Sequence, residues 1–409
     1  MSKKIIYEFD EKTLFGITHP GLETGFINEV NKWLRAKSQV LAHGFVLVKC
    51  KNLEELIYLL TKIRTPLMFG IPIFVCELEK VTESEILSCI KEAHQTFENF
   101  INNHNLEGLS IAFRGIRRSF RWLEKQVFKH DFTSVRLAKI TADELLKSYS
   151  FKVNLKKPDI TFVSGVFGNL FFILWAVIEN ANKARKYRKY VHPAGLSPSA
   201  AASAVFLREE QDLHDPMCGC GTIPIEAFCI YSNFSLIAEV GKPVISLLSK
   251  VYGIEQKTII NEIKEHIKTP SVRIAGSDIS EKYIKQAMEN YMILIKLVKQ
   301  YVNLQYDVKF FTSDILHRDP NIKTSRILVN APYGIRSSRI KVLPRIYSSL
   351  ATFAYKACAN YLDVFTAKPD KLTNALKNCW RFENRLKIML GDLLVSLILS
   401  RRSEYQCEV

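Results

Sequence analysis

The sequence predicts an α/β protein whose C-terminal half is a doubly wound parallel sheet, preceded by smaller α+β regions. Three observations lead there. From Gln211 onward, short aliphatic runs alternate with amphipathic helical patterns, as a doubly wound sheet requires. Leu213-His214-Asp215-Pro216-Met217-Cys218-Gly219-Cys220-Gly221-Thr222 then runs directly into a helical pattern, with Pro224 in the first turn, where a missing N–H costs nothing. An acid followed by two closely spaced glycines and a helix start forms a turn able to cradle a nucleotide. Finally, Arg326-Ile327-Leu328-Val329 stops at Asn330 and meets Ala331-Pro332-Tyr333-Gly334, the pattern of a buried strand ending in an exposed loop. Ligands of open α/β sheets sit beyond the carboxyl ends of the strands, so Asn330 is well placed for chemistry.

Composition narrows the class. The 409 residues suffice for two or three domains. Hydrophobic content of 47% with 24% charged residues is that of an ordinary globular chain. A net charge of +16, from 57 basic and 41 acidic residues, favours an anionic partner, nucleic acid ahead of membrane. The nine cysteines include no Cys-x-x-Cys pair, and Cys218-x-Cys220 fits neither a zinc site nor a redox motif, so no metal is expected and the thiols are expected reduced. The first residues lack the apolar core of a signal peptide, and the greasiest run, Leu170 to Ile178, is too short to span a bilayer as a helix. A cytoplasmic protein follows.

In chain order, residues 1–70 read as a small α+β unit: a strand at Phe15–Thr18, a helix opening at Pro20-Gly21-Leu22-Glu23, a second strand over Gln39–Val48 and a second helix over Leu53–Ile63. Residues 71–179 form the next region. There Phe113–Trp122 interleaves Arg114, Arg117, Arg118 and Arg121 with aromatics, and arginine both pairs with phosphate and stacks on bases. Ile160–Phe167 and Leu170–Ile178 flank Gly168-Asn169 and predict a hairpin. Residues 180–198 read as a basic linker, with Lys183, Arg185, Lys186, Arg188 and Lys189 and no acid. It is equally a phosphate-tracking connector or a solvated one. His192-Pro193-Ala194-Gly195-Leu196-Ser197-Pro198 leads from it into an alanine-rich helix, and residues 199–409 form the last domain.

Within that domain a ribose-binding acid is expected about 20 residues past the glycine turn. Two acids compete at longer range, Glu255 and Asp278. Asp278 is preferred, because Ala275-Gly276-Ser277-Asp278-Ile279 reads as a strand followed by an amphipathic helix that Ser280 can cap. The intervening Tyr231–Pro270 is expected to add helices to the sheet. Phe310–Ile315 is the next strand, ending at Asp314; a helix follows near Pro344–Tyr361, and Arg385–Leu390 with Leu393–Leu399 flank Gly391-Asp392 as a second hairpin.

Asp215-Pro-x-Cys-Gly-x-Gly-Thr followed by Asn330-x-Pro-Tyr-Gly resembles the Rossmann-fold, S-adenosylmethionine-dependent methyltransferases of exocyclic base amines. The chain is most similar to the THUMP-domain RNA guanine-N2 methyltransferases, in the branch acting on the tRNA acceptor stem. Thr18-x-Pro20-Gly21-Leu22-Glu23 resembles the opening of their ferredoxin-like region, and Val153–Ile160 continues the likeness through the THUMP region. The resemblance implies a ferredoxin-like region, a THUMP domain and a C-terminal Rossmann-fold domain, with S-adenosylmethionine as cofactor and tRNA as partner. It implies cofactor contacts from Ser197, Asp215, Pro216, Met217, Cys218, Gly219, Gly221, Thr222, Asp278, Ile279, Asp314, Ile315 and Asn330. Catalysis falls to Asn330, Ala331, Pro332 and Tyr333, with Ala331 where the family frequently has Pro. RNA contacts fall to Arg114, Arg117, Arg118, Arg121, Lys183 and Arg185. An rRNA guanine-N2 or an adenine-N6 methyltransferase would use the same tetrad, and a non-catalytic RNA-binding protein on the same fold stays open.

Overall fold

Two compact units share the chain in a computed structural model that describes residues 6–7, 9–104, 106, 108–118, 131–317, 319–320, 322–333 and 342–404. The first comprises residues 1–18, 30–181 and 240–262; the second comprises 19–29, 182–239 and 263–409. Arg121 and Gly334 lie outside the described residues.

The first unit is built on an eight-stranded sheet: β1 (Thr13–Ile17), β2 (Lys37–Ala42), β3 (Phe45–Lys49), β4 (Met68–Glu77), β5 (Ser110–Arg118), β6 (Lys152–Val153), β7 (Ile160–Phe167) and β8 (Leu170–Ile178). Their order is β2-β3-β1-β4-β8-β7-β5-β6. The hairpin expected at Gly168-Asn169 forms, pairing Phe167 with Leu170, and Gly168 takes φ +59°. Every residue of β7 and β8 is buried, which accounts for the unbroken apolar run of β8 and the mostly apolar one of β7: these are interior strands covered on both faces. Gly115 on β5 is a close approach, since a Cβ there would lie 1.8 Å from the Ser134 carbonyl at the start of the helix Ser134–Leu145. Asn52, Thr82 and Thr133 cap three helices of this unit by accepting backbone N–H bonds from Glu55, Glu85 and Arg136.

The inserted helices correct one expectation. Residues 240–262, interrupting the C-terminal domain in sequence, belong to the first unit rather than to the doubly wound sheet. Tyr252 packs its ring against Trp175 and His104, with centroids 5.8 and 5.4 Å away. Glu262 pairs at 2.9 Å with Lys62, whose side chain is buried and lies over the Trp33 and Tyr58 rings.

The second unit carries a seven-stranded sheet: β9 (Leu213–Asp215), β10 (Ile274–Asp278), β11 (Lys309–Thr312), β12 (Arg326–Asn330), β13 (Tyr361–Thr366), β14 (Trp380–Leu390) and β15 (Leu393–Arg402). The order is β11-β10-β9-β12-β13-β15-β14; β9 to β13 are parallel, β15 runs antiparallel to β13, and β14 antiparallel to β15. This is the predicted doubly wound sheet with a terminal hairpin, turning at Gly391 (φ +64°). Because β10 and β12 flank β9 on opposite sides, the strand order reverses at β9, and the carboxyl end of that strand is where sheets of this kind bind ligands. Arg326 is fully buried, pairs with Asp363 at 2.8 Å, and donates to the Ala204 and Val205 carbonyls, which end the helix Pro198–Val205. That ties the helix to the centre of the sheet.

Residues 19–29, read from sequence with the N-terminal region, lie in this second unit. The Met389 N–H donates to the Pro20 carbonyl at 3.0 Å, and Asn28 Nδ2 donates to the Phe206 carbonyl at 2.9 Å. Gly21, at φ +93°, has no room for a side chain: a Cβ would stand 1.9 Å from the Lys387 carbonyl oxygen. Among the described residues no helix is long and apolar enough to cross a membrane. Seven described cysteines are free thiols, but Cys379 is disulfide-bonded, against the expectation of a fully reduced chain.

Candidate active site

The carboxyl end of β9 gathers two carboxylates around a glycine turn. β9 ends at Asp215, which is almost fully buried and accepts the Met217 N–H at 3.0 Å. Burial pushes its carboxyl well above the usual range, the Met217 N–H pulls it back in part, and Asp278 across the turn raises it further. Pro216 and Met217 lead into Cys218, whose N–H donates to the Ser277 carbonyl of β10 at 2.9 Å. Gly219 (φ +51°) and Gly221 (φ +83°) take left-handed backbone conformations that suit glycine, and Thr222 opens the helix Thr222–Tyr231. Burial pushes the Cys218 thiol up, so it stays protonated.

β10 ends at Asp278 beside this turn. Asp278 Oδ2 accepts the Gly219 N–H at 3.0 Å and Oδ1 the Ser280 N–H at 2.9 Å. Both carboxylate oxygens are thereby aimed, and each keeps lone-pair capacity for a ligand. Ile279, next in sequence, is 66% exposed, an apolar side chain largely open to solvent beside the turn. Glu255, the competing acid, is exposed and lies in the first unit. Beneath the site His214 is buried with Nε2 3.0 Å from Ser277 Oγ, and burial pulls it down to about 3, so the ring is neutral.

β11 leads to Asp314, whose Oδ1 accepts the Leu316 N–H at 2.9 Å. Ile315 is 8% exposed and sits in the core with Ile327, Val329 and Ala331, which leaves little of it to line a ligand. Ser197 Oγ lies 2.8 Å from His19 Nε2 and donates to Asn182 Oδ1 at 3.1 Å, while His19 Nδ1 faces the Met389 carbonyl at 3.2 Å.

Asn330 closes β12 on the same carboxyl edge. Its Nδ2 donates to the Ala194 carbonyl at 3.0 Å, and its Oδ1 accepts the Tyr333 hydroxyl at 2.6 Å. Burial pushes the Tyr333 phenol up, so it remains a donor. Oδ1 retains its second lone pair. Ala331 is buried and its N–H donates to the Phe365 carbonyl of β13 at 3.2 Å, while the Pro332 carbonyl accepts the Tyr347 hydroxyl at 3.2 Å. Both bonds fix the loop that carries Tyr333.

The candidate RNA residues divide. Arg117 and Arg118 are exposed at the end of β5, Arg118 over the Phe167 ring at 5.5 Å. Arg114 is half-buried, donating to the Leu155 carbonyl and facing Glu179 at 3.6 Å. Lys183 is exposed. Arg185 must be struck from the set: it is 3% exposed, gripping Glu226 through Nε and Nη2 at 2.8 and 3.1 Å and donating to Ser199 Oγ at 3.3 Å. A guanidinium so enclosed has no phosphate within reach. Tyr187 is buried with it, its hydroxyl donating to Glu226 at 2.8 Å, so this part of the expected linker is packed core. Sequence reasoning missed His19, Asn182, His192 and Ala194. His192 and Ala194 stood in a segment already read as the entry to the domain, but no motif pointed to their bonds.

The family described as UPF0020, RMKL-like methyltransferase domain, matches residues 185–393, half of the chain. The chain is 28% identical over 310 residues to a tRNA (guanine(6)-N2)-methyltransferase of Methanocaldococcus jannaschii, covering 70% of this chain and 74% of that one. A protein of the same name from Archaeoglobus fulgidus is 27% identical over 313 residues, covering 73% and 69%. Among solved structures, TrmN from Thermus thermophilus superposes with a TM-score of 0.63 at 20% identity, covering 96% of this chain and 99% of that one. SMU.472 complexed with SAH gives 0.70 at 16% identity, covering 99% and 100%. These two likenesses establish the fold.

Proposed function

Because the chain belongs to the RMKL-like methyltransferase family, we propose that it transfers a methyl group from S-adenosylmethionine to the exocyclic N2 amine of a guanine in tRNA. The observation that carries this reading is the Asn330 side chain at the carboxyl end of β12, with its amide oriented from both sides and Oδ1 able to accept one more hydrogen bond. The relatives from Methanocaldococcus jannaschii and Archaeoglobus fulgidus bear the name of that reaction, which favours guanine and tRNA.

The residues fit the cofactor by their chemistry. Two carboxylates flank the turn, Asp215 raised first by its burial and further by Asp278, and a sulfonium or ammonium there relieves their repulsion. Asp278 would hold the ribose diol, Asp314 the adenine amine, and Ile279 the apolar face beside it. The bound cofactor supplies a methyl group on a cationic sulfur.

An aromatic amine is a weak nucleophile, because its lone pair is delocalised into the ring, and the base must first leave its stack at a cost of about a few kcal/mol. Tyr333 offers a face for the flipped base. Asn330 Oδ1 and the Ala331 carbonyl accept the two amine protons and turn the nitrogen lone pair toward the methyl group. As the nitrogen becomes cationic, the same fixed oxygens stabilise it more strongly. The first unit, read as ferredoxin-like and THUMP-like, would hold the acceptor stem through Arg117 and Arg118, in the cytoplasm.

Incubation with methyl-labelled S-adenosylmethionine and bulk tRNA, then nucleoside chromatography, is expected to give N2-methylguanosine. Label in N6-methyladenosine would replace the base assigned, label only in rRNA would replace the substrate, and no incorporation would overturn the catalytic reading.

A further inference from the structure

Asn330 presents an amide that can be turned end for end, and only one orientation offers oxygen to an amine. Tyr333 sets one side by donating to Oδ1, and the Ala194 carbonyl sets the other by accepting from Nδ2 at 3.0 Å. Ala194 is held in turn by His192: its N–H donates to His192 Nδ1 at 3.0 Å, while the Gly195 N–H donates to the His192 carbonyl at 2.8 Å. One residue thus folds the segment 192–195 back on itself and fixes the carbonyl that aims Asn330.

The same ring reaches the other half of the site. It packs edge-on against Tyr283, with centroids 4.3 Å apart, and stands over the glycine turn, where a Cβ on Gly219 would come within 3.3 Å of His192 Cβ. Gly219 is the residue whose N–H goes to Asp278. We infer that His192 is a positioning residue that sets Asn330 through Ala194 and, by its contact with Gly219, keeps the two halves of the site in register. The inference rests on the methyl-transfer reading, in which His192 touches no reacting atom. Accepting at Nδ1 places the proton of the neutral ring on Nε2.

Three variants separate the acceptor from the bulk. His192→Phe keeps a ring on Tyr283 and Gly219 and loses the acceptor; His192→Asn keeps an acceptor near Nδ1; His192→Ala loses both. His192→Phe should lower kcat for tRNA methylation roughly 10- to 100-fold, with KM for S-adenosylmethionine within about threefold. His192→Asn should recover most of that loss, which restored packing alone would not do. Hydrogen exchange over residues 192–197, which needs no substrate, should quicken in the Phe and Ala variants and not in Asn. A Phe variant with wild-type kcat, or equal losses for Phe and Asn, would overturn the inference. If the wild-type protein methylates no RNA, the functional reading falls, and unchanged exchange in the Phe variant would then dispose of the His192–Ala194 link on its own.

Discussion

Replacing Asp278 by alanine removes four acceptor sites at one position. Two serve the protein, through Gly219 N–H at 3.0 Å and Ser280 N–H at 2.9 Å, and two remain for a diol. A hydrogen bond to a charged partner contributes about 1.5–3 kcal/mol, so losing the diol acceptors should weaken S-adenosylmethionine roughly ten- to a hundredfold. Release of the Gly219 N–H adds to the loss, because the turn that approaches the ligand is no longer pinned. Asp278→Asn keeps one acceptor oxygen and should fall between. Titration calorimetry reads the affinities directly, and thermal unfolding checks that the variants remain folded. Glu255, exposed and in the first unit, is the control: Glu255→Ala should cost under about 0.5 kcal/mol. An Asp278→Ala affinity within twofold of wild type, or a larger loss at Glu255, would refute this placement of the ribose.

Three other outcomes follow from particular contacts. Arg117→Ala with Arg118→Ala should flatten the log–log salt dependence of RNA binding and leave cofactor affinity unchanged; an unaltered slope would remove the end of β5 from the RNA surface. Arg185→Ala strands the Glu226 carboxylate in the core, and urea titration should show a loss of about 3–5 kcal/mol with no change in that slope. A fragment of residues 182–409 lacks the piece of its own unit at 19–29, so it should melt below the full-length protein and methylate RNA poorly; full stability and activity in that fragment would show the His19–Glu29 segment to be dispensable.

The parts of the fold that were legible in the sequence are those fixed by local backbone chemistry. Gly219 and Gly221 need positive φ, and Gly168 and Gly391 turn hairpins between apolar runs; each announces itself within a few residues. What the sequence hid depends on partners far along the chain. Nothing near Arg185 indicates Glu226, so a buried ion pair looked like part of a basic linker. Nothing near Pro20 or Gly21 indicates the backbone of Lys387 and Met389, so a piece of the second unit looked like part of the first. The inserted helices read as additions to the nearest sheet in sequence, whereas Tyr252 and Glu262 find Trp175 and Lys62. For the candidate site, the motif residues could be named, but not the bonds that aim them, because Ala194 supplies only a carbonyl and any residue type has one.

The central claim is that the Asn330 side-chain oxygen holds the amine that receives the methyl group. Its most direct test is the single-turnover rate of tRNA methylation by Asn330→Ala, measured with enzyme and S-adenosylmethionine saturating. Loss of one preorganised polar contact in a site of this kind typically costs about 10²- to 10³-fold in rate. Asn330→Ala should show a fall of that size with S-adenosylmethionine affinity within about tenfold of wild type. A rate within threefold of wild type would contradict it.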